Sequence, residues 1–211
     1  MLVLCSNGLS SDNLLKAMSK RIKECSTAAV VVTADNEYKE KNYHVNRVVT
    51  ELESLNLYVD ILDLDIVPAK NLLKYDVVEF IGGNPFYLLN SIREHNAIDV
   101  LKIIADTKVL IGWSAAAFVF GPTLELVNIY SADMNFLGLK DLSGIKLTDV
   151  EVLPHYEKFL KRFDRFEEKC QTYEKEHSVK VIRLNDGEGV FIEGSCRKEV
   201  HNGKRTVEET N

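Results

Sequence analysis

The chain has 211 residues, 45% hydrophobic and 27% charged, with a formal net charge of −6. That length suits one compact domain spanning residues 1–211 with a large buried core. The mild acidity excludes a general nucleic-acid binder, which needs a basic face, and no apolar run approaches the roughly 18 residues of a membrane-spanning helix.

The four cysteines, Cys5, Cys25, Cys170 and Cys196, lie far apart with no C-x-x-C pair. This excludes the common zinc and thioredoxin-like spacings. The apolar start Met1–Cys5 is short and lacks a basic flank, so it reads as a first strand rather than a signal peptide. A cytoplasmic protein with reduced thiols is expected.

Apolar runs of strand length then alternate with segments of helical period. Leu2–Cys5 is followed by a helix over Asn13–Lys23, with Leu14, Leu15, Met18 and Ile22 on its apolar side. Ala28–Thr33 is a β-branched run, and Asn42–Leu55 repeats Val45, Val48, Val49, Leu52 and Leu55 at helical steps. Leu57–Leu64 alternates as a strand does, while Val77–Ile81 and Val109–Ile111 are short, buried-type strands. Between these two, Pro85–Ala105 reads as helical with one break. Tyr156–His177 carries Tyr156, Phe159, Phe163, Phe166, Cys170 and Tyr173 at helical spacing, a core-facing stripe. Val179–Leu184, Gly189–Glu193 and a final polar segment read as short strands, and the polar tail after Gly203 is expected to fray. Such alternation predicts an α/β fold with a mainly parallel sheet covered on both faces.

Three segments carry candidate chemistry. In Lys108–Pro122 a β run ends at Gly112, Ser114 follows, and small residues open a helix that Gly121-Pro122 stops. This is the setting of a nucleophile elbow, where a serine in a strained turn points its hydroxyl at the next helix. Gly112 and Ala115–Ala117 keep the neighbouring backbones close, and the Ala115 N–H is an oxyanion donor candidate. The stricter Gly-x-Ser-x-Gly form has glycine where Ala116 stands, and simple helix-on-sheet packing is the plainer reading. In Phe80–Leu89 a double glycine follows a strand, letting a backbone N–H approach a developing oxyanion. Those residues equally suit a tight turn with Asn84 as helix N-cap and Pro85 at the first helical position. The third segment, Val152-Leu-Pro-His155, ends in a histidine that is structural or a base; at a strand end of the same sheet it would lie where α/β ligand sites gather.

Together these segments resemble the peptidase E family of serine peptidases, which includes α-aspartyl dipeptidases and cyanophycinases. The likeness covers roughly residues 28–195 and rests on Gly82-Gly-Asn84, Gly112-Trp-Ser-Ala115 and Pro154-His155. Ser131-Ala-Asp133-Met134 and Leu184-Asn-Asp186-Gly187 extend it. It implies a three-layer α/β/α fold of the class I glutamine amidotransferase-like, flavodoxin-like kind, with Ser114 as nucleophile and His155 as base. It places the oxyanion hole at the N–H groups of Gly83 and Ala115 and implies neither a metal nor an organic cofactor. One departure is Ser-Ala-Ala-Ala where the family usually has Ser-Ala-Gly-Ala; the methyl of Ala116 is a candidate for crowding the elbow.

The third catalytic acid has three candidates. Asp186 aligns with the late acidic residue of the resembling family and gives the order Ser–His–Asp. Asp133 gives Ser–Asp–His, the order of α/β-hydrolases. Glu188 would share Asp186's face in a strand. Asp186 is favoured, since triads are defined by geometry rather than chain order. The function expected is hydrolysis of small peptides, including Asp-X dipeptides. Candidate cations for an acidic first residue are Arg93, Lys161, Arg162 and Arg165. The alternative is a weak or inactive binding or scaffold protein with the same fold. A glutaminase is disfavoured because none of the four cysteines is near the elbow. A peptide is the expected partner, not nucleic acid or membrane, with the chain a monomer or homodimer.

Overall fold

A computed structural model describes residues 1–202, so the polar tail from Gly203 on lies outside the described residues. Among the described residues there are nine strands: β1 (Leu2–Cys5), β2 (Thr27–Val31), β3 (Tyr58–Leu62), β4 (Val77–Phe80), β5 (Val109–Trp113), β6 (Glu151–Leu153), β7 (Val181–Arg183), β8 (Gly189–Glu193) and β9 (Cys196–Val200). Eight α-helices of the described residues join them: α1 (Asp12–Ser19), α2 (Val45–Glu53), α3 (Pro85–Glu94), α4 (Ile98–Thr107), α5 (Ala115–Phe120), α6 (Glu125–Tyr130), α7 (Tyr156–Arg162) and α8 (Phe166–His177).

Seven strands form one sheet in the order β3-β2-β4-β5-β1-β8-β9. The first five in that order are parallel, and β8 and β9 add an antiparallel edge. Both faces are apolar because the strands are buried on both sides. Val3, Val30, Ile111 and Trp113 pack on one face with Leu14 and Met18 of α1 and Val48 and Leu52 of α2. Leu4, Val31, Phe80 and Leu110 pack on the other with Leu88, Ile92, Leu101, Ile104 and Phe120. This is the three-layer α/β/α arrangement that the strand–helix alternation predicts.

Two expectations are corrected. The strand before His155 is not in the main sheet: β6 pairs in parallel with β7 alone, in a separate two-stranded sheet. Three residues give β6 little to pair with, and it is held from outside instead. The Tyr173 hydroxyl donates to Glu151 at 2.8 Å, and Arg183 of β7 donates to Glu167 and Glu174 of α8. The helix expected over Tyr156–His177 is two helices, broken at Phe163–Arg165, where Arg165 takes a left-handed φ of 49°. The break lets Phe159, Phe163 and Phe166 all close around Tyr130, with ring centroids 5.0–5.6 Å away. The stripe faces the core, as its spacing predicts, but around one aromatic hub.

Close packing at the sheet's C-terminal edge depends on absent side chains. A Cβ on Gly112 would lie 2.6 Å from the Phe120 ring and 3.2 Å from the Ala116 backbone carbon. Gly112→Ala is therefore expected to destabilise the fold by roughly 1–3 kcal/mol through overpacking. A thermal melt should show it, at about 2–4 °C per kcal/mol for a chain of this size.

Candidate active site

The C-terminal ends of β1, β4 and β5 meet at one place. β5 ends in Trp113, and Ser114 follows with φ 52° and ψ −112° before α5 begins. A positive φ is unusual for serine and marks a strained strand-to-helix corner. The corner is pinned at both ends: the Ser114 N–H donates to the Cys5 carbonyl at 3.2 Å, and the Ser114 carbonyl accepts the Phe118 N–H at 3.3 Å. The side chain is half-buried, and Ala115, Ala116 and Ala117 behind it are fully buried. The Ala116 methyl thus belongs to the packed core of that face.

The double-glycine loop after β4 lies directly on this corner. A Cβ on Gly82 would fall 2.9 Å from the Ser114 Cβ and 2.7 Å from the Trp113 ring. Gly83 has φ +155°, and a Cβ there would strike the Ala34 carbonyl at 2.2 Å. The loop is clamped on both sides. The Asn84 N–H donates to the same Ala34 carbonyl at 2.8 Å, and its side-chain amide donates to the Met134 carbonyl at 2.8 Å. Asn84 also caps α3, accepting from the N–H groups of Phe86 and Tyr87. The capped-turn reading and a close-approach glycine loop therefore coexist.

His155 ends the loop after β6 and caps α7 with a left-handed φ of 57°. Its Nδ1 lies 2.6 Å from Asp186 Oδ1. Its main-chain N–H donates to the Ser6 hydroxyl at 2.9 Å, and that hydroxyl donates to Asp186 Oδ1 at 2.9 Å. Cys5 thus holds the backbone of Ser114 while its neighbour Ser6 holds that of His155, so consecutive residues of one strand end bring serine and histidine to the same corner. With Nδ1 committed to the carboxylate, Nε2 is the free ring nitrogen.

Asp186 sits in a turn gripped by the loop after β1: Asn7 accepts the Gly187 N–H at 2.8 Å, and the Ser11 hydroxyl donates to the Gly187 carbonyl at 2.7 Å. Its second oxygen pairs with Lys158, one turn into α7. Burial alone would push the Asp186 carboxyl up, but His155, Lys158 and Ser6 together hold it well below the usual carboxylate range. Asp186 is therefore ionised at neutral pH.

The other acids stand elsewhere. Asp133 is exposed on a single helical turn and accepts from the Ser131 hydroxyl at 3.0 Å. Glu188 does not share Asp186's face, because Asn185–Glu188 is a turn rather than a strand, with Gly187 at φ +85°. Its buried carboxylate accepts the Asn185 N–H at 2.8 Å and faces His201 at 3.3 Å. Among the cations, Arg93 is bound to Asp141 and the Ser143 carbonyl, Arg165 pairs with Glu168, and Arg162 lies over the Phe163 ring. Lys161 lies exposed on α7.

Three residues at this corner escape sequence reading. Ser6 and Lys158 are ordinary polar residues whose roles depend on distant partners. His44 caps α2 with its ring 5.3 Å from Trp113, and burial followed by Arg47 and His155 pushes its pKa down. Only Ser6 carries a signal, as the first polar residue after a buried strand.

The model of peptidase family S51 matches residues 1–200. The chain belongs to that family. It is accordingly a serine-type peptidase. An uncharacterized peptidase of Listeria monocytogenes is 28% identical over 175 residues, covering 80% of this chain and 82% of that one. Peptidase E of Haemophilus influenzae is 32% identical over 82 residues, 38% of this chain and 33% of its own. A crystal structure of a peptidase E candidate from Listeria monocytogenes superposes with TM-score 0.76 at 24% identity, over 96% of this chain and 98% of that one. A peptidase from an acI-B1 Actinobacterium gives TM-score 0.61 at 14% identity, over 96% and 94%. No helix among the described residues is long and apolar enough to cross a membrane.

A depressed carboxyl stabilises the fold above its ordinary pKa, near 3.9, and that stabilisation is lost as pH falls toward the folded value. Wild type and Asp186→Asn are therefore expected to differ in thermal midpoint at neutral pH and to converge in acid. A gap that persisted into strong acid would show that Asp186 acts by packing rather than charge.

Proposed function

We propose that this peptidase hydrolyses small peptides by acyl transfer at Ser114, with His155 as general base and Asp186 orienting it. The reading is carried by the 2.6 Å contact between His155 Nδ1 and Asp186, held beside the strained Ser114 corner. Nε2 takes the Ser114 proton as the hydroxyl oxygen attacks the scissile carbonyl. The ionised Asp186 stabilises the imidazolium formed. The N–H groups of Gly83 and Ala115 are the proposed oxyanion donors: one sits in a loop packed on the serine, the other opens the helix behind it. The tetrahedral intermediate collapses, the amine leaves with the proton from Nε2, and water hydrolyses the acyl-enzyme by the same steps.

The finer proposal is an Asp-X dipeptidase, supported by the similarity to peptidase E. In such a site the substrate's acidic side chain needs a cation, and Lys158 is the one in contact with Asp186. A cytoplasmic location fits a peptidase of dipeptides and is part of the same proposal. Release of free amine from a panel of dipeptides tests the preference directly: highest rates on Asp-X support it, and flat rates discard it.

The alternative, a scaffold that has lost activity, has one observation behind it, the alanine at position 116. A serine-directed fluorophosphonate separates the two. Labelling of Ser114 in the folded protein supports the peptidase; no labelling supports the scaffold.

Ser114→Ala is expected to lower turnover by roughly 10⁶ while leaving the thermal midpoint nearly unchanged. Wild-type rates in that variant would remove the serine from the mechanism. Asp186→Asn should cost roughly 10⁴ in turnover with the fold intact, whereas Asp133→Asn should leave turnover near wild type. The reverse pattern would transfer the role of the acid to Asp133.

A further inference from the structure

Glu79 lies inside β4 with no solvent exposure, and among the described residues neither of its carboxyl oxygens has a hydrogen-bond partner. Two other buried polar atoms are unpartnered nearby, Trp113 Nε1 and Glu51 Oε2. A Cβ on Gly8 would lie 3.3 Å from Glu79 Oε1, 3.4 Å from Trp113 Nε1 and 3.5 Å from Glu51 Oε2, so three of these four atoms converge on one point. Buried polar groups are rarely left unpaired, and four together call for an explanation.

A single proton pairs all four. If Glu79 is a neutral acid, its carbonyl oxygen accepts the Trp113 N–H and its hydroxyl donates to Glu51 Oε2. The other Glu51 oxygen already takes Arg47. Were both glutamates ionised, neither could donate, and two like charges would stand together in the interior. The surroundings agree. From α2, Glu51 and Arg47 face Glu79; from β1, the Cys5 thiol does, itself pushed far up by burial and then by Glu79. Its register neighbours Val30 and Ile111 carry no charge. Burial, then Glu51, push the Glu79 carboxyl up to about 8, against the opposing effects of Arg47 and of the Trp113 indole N–H, both of which favour the charged form.

The indole so held is the wedge of the active corner. Trp113 immediately precedes Ser114, its ring meets Gly82 of the glycine loop, and Arg47 lies 5.7 Å from the ring. We propose that Glu79 is a positioning residue acting through Trp113: as a neutral acid bridging the indole N–H to Glu51, it fixes the wedge between the Gly82 loop and Ser114. Loss of its proton leaves Glu79 still accepting the indole N–H but removes the donor to Glu51 and sets two buried carboxylates against each other behind the wedge, so the wedge shifts and the site weakens on the alkaline side. This role rests on Ser114 being the nucleophile; the placement of the proton does not.

Glutamine mimics the neutral acid at every pH, accepting from Trp113 and donating to Glu51. Trp113 is the only tryptophan in the chain, so ¹⁵N-labelled protein gives one indole N–H resonance. That resonance should titrate near pH 8 in wild type and stay fixed in Glu79→Gln. The rate at which a fluorophosphonate labels Ser114 should fall above the same pH in wild type. Glu79→Gln should keep the neutral rate and lose the alkaline fall. Glu79→Leu should label roughly 10²-fold more slowly, the cost of a displaced elbow. Wild-type stability relative to Glu79→Gln should also decline as pH rises from the carboxylate range to about 8, since the fold retains the proton. A resonance that titrates identically in wild type and Glu79→Gln, or a Gln variant as slow as the Leu variant, overturns the proposal. Wild type that never labels, with an indole that still follows Glu79, overturns the nucleophile assignment and the positioning role while leaving the proton where it was inferred.

Discussion

The Ser6 hydroxyl is fully buried at the end of β1, where it accepts the His155 N–H and donates to the Asp186 carboxylate. A hydroxyl has one donor and two acceptor positions, so it can serve both partners at once, and neither alanine nor a carboxylate could. The arrangement depends on it because histidine and acid come from outside the main sheet. β6 and β7 share no hydrogen-bonded strand with the seven-stranded sheet. What brings their loops to the end of β1 is Ser6, helped by Asn7 and Ser11 on the Asp186–Gly187 turn.

Around that anchor, the sheet edge is organised by close approach. Gly82 and Gly112 each stand where a Cβ would be within 3 Å of a ring or of Ser114 itself. The glycines make room, and Trp113 fills the space beside them on the α2 face. The same indole carries an N–H into a buried carboxyl pair, so the corner's shape and the interior's charge state are mechanically linked. Aromatic bulk sets the spacing between loop and elbow, and one polar atom at its rim couples that spacing to the Glu79 proton.

How much of this could be read in the sequence follows from the range of the interactions. The central strands and the helices between them were legible because their signals are local: β-branched runs, helical periods and the punctuation of Gly112, Gly121 and Pro122. The elbow and the glycine loop were legible for the same reason, since a strained turn needs small residues next to it in the chain. The separate β6–β7 sheet was not, because three-residue strands look the same whichever sheet they join. The break at Phe163–Arg165 was hidden because the aromatic spacing continues through it, and packing around Tyr130 decides the matter. Lys158 and Glu79 lie beyond such reading altogether, and Ser6 offers only its place as the first polar residue after a buried strand. A serine after a strand, a lysine on a helix and a glutamate in an apolar run gain their meaning from partners tens of residues away.

Ser114 and His155 share a design that local signals half disclose. Each takes a positive φ, which costs on the order of 1–3 kcal/mol and persists only where the surroundings over-determine it. In each, the N–H is fixed to the end of β1, Ser114 to the Cys5 carbonyl and His155 to the Ser6 hydroxyl. In each, the carbonyl opens a helix, accepting from Phe118 in one case and Phe159 in the other. At these two residues the strained main chain is held at both ends, while the His155 ring turns to Asp186. A strand end that supplies one carbonyl and one hydroxyl in succession is what permits this. Replacing Ser6 with any residue lacking a hydroxyl would leave Ser114 pinned while His155 lost the bond that opposes its own strain.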